Sequence, residues 1–351
     1  MRFHLSDEQI AIQDAVRGVL GETWPIERLH AFAEGDADVD RESWRALMAL
    51  GLGGLLVDDA GGGAGLGLLD AALVCEIAGA AAAAGPIAGQ MLTALAVAKS
   101  TNVAARAHLP AILAGETIAT LALGGPGSHA GWDATPASGT VNFVAAARAA
   151  GWFLLGTHGG GLALVAAGDG VTIEPIRSTD RSRPLSRVTF GGADAHVLFD
   201  ASDPFVGRLY DAVLVLAAAD ALGGAQHCLD QAVRYAKDRE QFGQPIGRFQ
   251  ALKHQLAHVA LDVEPARALL WYAGYAWDAG LPDAPRAAAM AKAHLCDVYV
   301  RTTRAAIAAH GGIGYTWEYG LNYWFRRAVA NRALYGSPAL HRARAADLAG
   351  W

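Results

Sequence analysis

The run Arg239-Glu240-Gln241-Phe242-Gly243-Gln244-Pro245-Ile246-Gly247-Arg248-Phe249-Gln250 sets charge, aromatic rings and amides on one short connection punctuated by Gly and Pro. A pyrophosphate calls for delocalised positive charge in fork geometry, which Arg239 supplies better than a lysine could. An adenine calls for a flat apolar neighbour, and Phe242 or Phe249 offers one. Gln241 and Gln250 are neutral donors and acceptors suited to ribose or phosphate oxygens. The plainer alternative is an interhelical loop whose arginine pairs with a surface acid. Further along comes His310-Gly311-Gly312-Ile313-Gly314-Tyr315. Gly311 and Gly312 let a ligand approach the backbone and reach its N–H groups. Here the alternative is a glycine-capped helix end.

Helical patterns surround both segments. Leu209–Lys237, Phe249–Ala279, Pro285–His310 and Asn322–Leu334 predict four blocks, broken at Gly243-Gln244-Pro245, Gly280-Leu281-Pro282 and Gly311-Gly312. Together they have the size of an antiparallel four-helix bundle over 204–351. Residues 1–115 also read as helical. Ser6 followed by Gln9 fits a capping box, Glu42–Leu52 ends at glycine, and Leu69–Ala84 stops at Gly85-Pro86. Between them, residues 116–203 change texture. Thr117–Leu123, Thr140–Val144, Trp152–Leu155, Leu162–Ala166, Val171–Ile176, Arg187–Phe190 and His196–Phe199 are short β-prone runs separated by Gly, Asp and Pro. The expected fold is mixed α with a small β unit: an N-terminal helical domain, a middle β-barrel or sandwich, and a C-terminal four-helix bundle.

Composition narrows the function classes. With 53% hydrophobic and only 18% charged residues, the chain builds large cores and is not disordered. Net charge is −6 and no basic stripe appears, which argues against a nucleic-acid partner. Cys75, Cys228 and Cys296 lack ligand spacing and read as buried small hydrophobes in a reducing compartment. The first residues hold no apolar signal core, and Glu76 interrupts the Ala-rich run that follows, so no membrane span is expected. A cytoplasmic protein is the default expectation.

The order of helices, β unit and bundle, with the two motifs, resembles the acyl-CoA dehydrogenase family over nearly the whole chain. The resemblance implies FAD as cofactor and an acyl-CoA thioester as substrate, with an electron-transferring flavoprotein as acceptor. It also implies that Arg239, Gln241, Phe242, Phe249 and Gln250, with Gly311 and Gly312, contact an FAD lodged in a neighbouring subunit. Two residues before His310 the family usually has glutamine, and here stands Ala308. Glu318 is implied to be structural, pairing with Arg326 or Arg327.

Desaturation between Cα and Cβ needs a carboxylate base made stronger by an apolar site. The family places that glutamate at the position of Tyr335, before Gly336, or in a minority at the position of Val213. A phenol with its pKa near 10 is too protonated to serve, and valine cannot. Asp211 is the nearest acid, and a cap or solvent-facing role suits it better. The β unit departs too. Leu123-Gly124-Gly125-Pro126-Gly127-Ser128 keeps only the proline and the Gly-Ser pair of the family's flavin turn, and Asn142-Phe143-Val144-Ala145 lacks the Trp and Thr of its flavin strand. The leading expectation is therefore a non-catalytic subunit that completes the FAD site of a related catalytic subunit in a two-plus-two heterotetramer. Its substrate would be a bulky acyl-CoA, such as a steroid side-chain thioester. The alternatives are an active homo-oligomeric flavoprotein with an unusual base such as Asp211, and a flavin-free scaffold of this fold. Two decoys are set aside. The glycines of 61–67 match no GxGxxG pattern, and His254 and His258 flank Gln255 where a zinc protease has glutamate, so no metal is expected.

Overall fold

The computed structural model describes residues 4–123, 138–157 and 160–351. Helix α1 (Asp7–Thr23) opens on the expected capping box, in which Ser6 Oγ accepts from the Gln9 N–H and Gln9 Oε1 accepts from the Ser6 N–H. Then follow α2 (Ile26–Glu34), α3 (Arg41–Ala49), α4 (Leu68–Ala80), α5 (Ile87–Lys99), α6 (Val103–Arg106) and α7 (Leu109–Leu113). The second helix has no counterpart in the sequence reading, because Pro25 starts it without a side-chain cap. The glycines of 61–67 form the approach to α4, and a Cβ at Gly63 would lie 2.1 Å from the Val57 carbonyl oxygen. Close packing therefore explains that glycine.

Each expected β-run forms a strand. One sheet has the order β1 (Ala119–Ala122), β3 (Trp152–Gly156), β4 (Leu162–Ala166), β7 (Ala195–Phe199). The other has β2 (Ser138–Ala145), β6 (Leu185–Gly191), β5 (Val171–Ile176). Val141, Val144, Phe153, Leu155, Val165, Val188 and Phe190 from both sheets share one buried cluster, so the unit is a sandwich. Phe153 and Phe190 meet edge to face across it at 5.6 Å.

The C-terminal unit holds α8 (Pro204–Asp238), α9 (Gln250–Asp278) and α10 (Ala284–His310), then α11 (Leu321–Ala333) and α12 (Pro338–Leu348). The expected fourth block, Asn322–Leu334, is α11, and α12 is a further helix that the sequence reading lacked, set off by the turn at Tyr335 and Gly336, which both adopt positive φ. At its middle α8 is pressed between α4 and α10. A Cβ at Gly223 would lie 1.8 Å from the Glu76 carbonyl oxygen, and one at Gly224 would lie 2.2 Å from the Tyr299 ring. Among the described residues no helix is long and apolar enough to cross a membrane.

Candidate functional site

Val213, Leu216, Ala217 and Asp220 recur at i, i+3, i+4 and i+7, so α8 presents them on one face. That face borders a cavity of about 90 Å³, which Arg327 and Asn331 of α11 close together with Leu334 and Tyr335 just beyond it. The α4–α5 connection, β1 and β2 complete its wall. Val213 and Tyr335, far apart in sequence, thus reach one small space. Burial pushes the Tyr335 phenol above its ordinary value, further from use as a base. Burial also raises the Cys75 thiol, which therefore stays protonated.

Asp220 is the only carboxylate among the described residues of this wall. It accepts from Arg327 Nε at 3.2 Å, pairs with Arg183 Nη2 at 3.1 Å, and takes a further bond from Asn331 Nδ2. Burial pushes its pKa up, but Arg327 and Arg183 together outweigh that and hold it well below the usual carboxylate range. A carboxylate so acidic and so fully bonded makes a poor proton acceptor. Arg327 also donates to the Ala83 carbonyl and to Ser182 Oγ, tying the bundle to both other units.

Asp211 does not line the cavity. Two residues from Val213, it sits about 200° around the helix and accepts from Arg344 Nη2 at 2.6 Å. It is buried, not solvent-facing as expected, with Arg344 of α12 bonded to its carboxylate. Burial raises its pKa, and the Arg344 charge pulls the other way. Glu318 does not make the expected pairing either. It is exposed, while Arg327 is committed to Asp220 and Arg326 lies over the Trp317 ring at 5.3 Å. Of the flavin-turn segment 123–128, residues 124–128 lie outside the described part of the chain. The strand segment is described. Register shifts between Val141 and Val144, and Phe143 enters the left-handed region with φ 62° and lines the cavity.

The second region lies at the far end of the bundle. The Tyr235 ring of α8 stacks on His310 of α10 at 4.4 Å, and His310 Nε2 lies 2.9 Å from the Tyr319 hydroxyl. This stacking brings the two C-terminal helix ends together, so the Arg239 and Gly311 segments share one end. Beyond α8, β8 (Glu240–Gln241) and β9 (Gln244–Pro245) form a tiny hairpin. Phe242 (φ 55°) and Gly243 (φ 78°) make its two-residue turn, whose twist demands positive φ at both. The turn holds Phe242 92% exposed, edge to face with Phe249 at 6.0 Å. Arg239, Gln241 and Gln250 are exposed, and Arg239 forms no ion pair among the described residues. Gly311 does cap α10, its N–H donating to the Ala308 carbonyl, and a Cβ at Gly311 or Gly312 would meet open space.

Around the corner a groove of about 980 Å³ runs from Ala308 and Tyr315 past Phe325. Arg177, Arg181, Arg304 and Arg326 line it. Sequence reasoning missed this groove, because its arginines come from three separate segments. It missed the Asp220 network for the same reason.

Comparison with known proteins fits this architecture. Residues 6–116 match the acyl-CoA dehydrogenase N-terminal domain and residues 215–349 the acyl-CoA dehydrogenase C-terminal domain. Acyl-CoA dehydrogenase FadE34 of Mycobacterium tuberculosis is 35% identical over 92% of the chain, which spans only 45% of FadE34. Acyl-CoA dehydrogenase IpdE2 of Mycolicibacterium smegmatis is 30% identical over 95% of this chain and 96% of its own length. Among solved structures, a Tcur3481-Tcur3483 steroid ACAD variant superposes with a TM-score of 0.89 at 29% identity, covering 98% of each chain.

Proposed function

The chain belongs to the acyl-CoA dehydrogenase family, whose cofactor is FAD, and we propose that within it this chain is a non-catalytic subunit. It completes the FAD site of a related catalytic subunit, in a two-plus-two assembly that desaturates a bulky acyl-CoA. One observation carries the reading: both positions that could hold the base converge on a single cavity, and neither is a carboxylate. The acid that is there, Asp220, is spent on structure.

The outer end supports the other half of the proposal. FAD supplies the hydride acceptor when bound. Arg239 would hold its pyrophosphate, Phe242 and Phe249 its adenine, Gln241 and Gln250 its polar edges, and the Gly311-Gly312 turn would offer backbone N–H groups. All but the half-buried Phe249 are exposed, as groups serving another chain's cofactor must be. The groove with four arginines has the size and charge for a polyanionic ligand or the chain that carries one. Its own cavity is far below the roughly 300 Å³ at which ligand sites begin, so the residues there do not fit a flavin ring.

The partner and the substrate class rest on likeness. The Tcur3481-Tcur3483 name joins two components and a steroid ACAD activity. More than half of FadE34 lies outside its match to this chain, which leaves room for a second unit of equal size. The test is to purify the chain alone and together with a family member that has glutamate at one of the two base positions. The pair is expected to be yellow and to oxidise acyl-CoA. A yellow homo-oligomer that turns over acyl-CoA by itself would overturn the proposal.

A further inference from the structure

We propose that Phe143 and Tyr335 form an aromatic plug that closes this chain's own cleft to flavin, so that the chain serves a cofactor it cannot itself hold. The inference rests on the partner reading above and deepens it. Five non-glycine residues among those described have positive φ: Ala82, Phe143, Ala146, Phe242 and Tyr335. Phe143 and Tyr335 line the inner cavity, while Ala82 and Ala146 adjoin its lining residues Ala83 and Ala145. A bulky side chain in the left-handed region is an outlier, and such outliers persist only where the surroundings enforce them.

Those surroundings are specific. Strand alternation would turn Phe143 to the same face as Val141. The bulge instead keeps both Val141 and Val144 in the sandwich core and leaves Phe143 to the cleft, 37% exposed at its mouth. Thr120 Oγ1 anchors the far side of the bulge by donating to the Ala145 carbonyl at 2.7 Å. The Tyr335 turn is clamped from two more helices. The fully buried Lys292 donates to the Asn331 and Gly336 carbonyls at 2.9 and 3.2 Å, and His341 Nε2 lies 2.7 Å from the Tyr335 carbonyl oxygen. The cavity that both side chains line is only about 90 Å³.

Glycine takes both positive φ values without strain, so Phe143→Gly with Tyr335→Gly opens the cleft and leaves the backbone path intact. FAD is titrated into the full-length chain alone, with flavin fluorescence and the FAD-induced shift in Tm as readouts. The wild-type chain is expected to leave FAD fluorescence and Tm unchanged. The double variant is expected to quench the flavin with an affinity at least roughly tenfold tighter and to melt higher with FAD. Tyr335→Phe keeps the ring and is expected to behave as wild type. If the double variant does not fold, Phe143→Gly alone is measured and is expected to quench FAD more weakly. A folded variant that excludes FAD as the wild type does would overturn the plug and leave the partner reading standing. A wild-type chain that binds one FAD per protomer would overturn both.

Discussion

The two ends of the bundle are built in opposite ways. The inner cavity beside Val213 and Tyr335 has been closed with aliphatic and aromatic side chains and braced by a buried ion-pair network. The outer end around Arg239 and Gly311 is open, and its strained aromatic turn is held out to solvent. Both are built on α8, whose one face lines the cavity and whose end carries the Arg239 segment. Position in a fold therefore does not fix chemistry. On the proposed reading, a scaffold lacks a reaction at one place and offers cofactor recognition at another, since the first needs a tuned proton acceptor and the second only exposed cations, rings and N–H groups.

The contrast can be broken first at the brace. Replacing Arg327 with methionine strands the Asp220 carboxylate, and loss of one partner of a buried pair typically costs about 3–5 kcal/mol. Denaturant unfolding should show a drop of that order. The same network sets a pH limit. The folded pKa of Asp220 lies below its unfolded value. Its contribution is thus present above about pH 4 and is lost as pH falls through the folded value. Acid unfolding of the wild type should show this loss, and Asp220→Asn should flatten that part of the curve.

Next comes the outer end. On the partner reading, Arg239→Ala would remove a charge-assisted contact of about 1.5–3 kcal/mol, so FAD should dissociate from the assembled complex roughly 10- to 150-fold more readily. Flavin released on gel filtration measures it, and the fold of the chain should be untouched. Phe242→Ser should weaken retention less, by about 1 kcal/mol of ring contact. The smallest effect sharpens the inner half. Tyr335→Glu restores the family's residue type, yet the chain alone should gain no acyl-CoA oxidation, because a base without space for flavin and thioester does nothing. Appearance of turnover would show that only the carboxylate was missing.

Much of this was legible in sequence, for local reasons. The capping box at Ser6, the seven strands and the breaks at Gly243 and Gly311 follow from periodicity and turn chemistry over a few residues. The positions of Val213 and Tyr335 were legible as places lacking an acid. Their convergence was not, because it depends on how α8 and α11 cross. The Asp220–Arg327–Arg183–Asn331 network joins three separate segments and leaves no pattern in any of them. The Phe143 bulge was hidden because a single extra residue in β2 reverses which side chain faces the cleft. The last helix, Pro338–Leu348, went unread because the turn before it rests on Tyr335 in a conformation that tyrosine rarely adopts.

The most direct measurement is flavin stoichiometry. The chain is purified alone and with its catalytic relative, and FAD per polypeptide is determined from absorbance after denaturation. A colourless chain alone and one FAD for every two polypeptides in the complex is the expected result. One FAD for every polypeptide, or a flavin-loaded chain on its own, would contradict the claim that this subunit serves a cofactor held elsewhere.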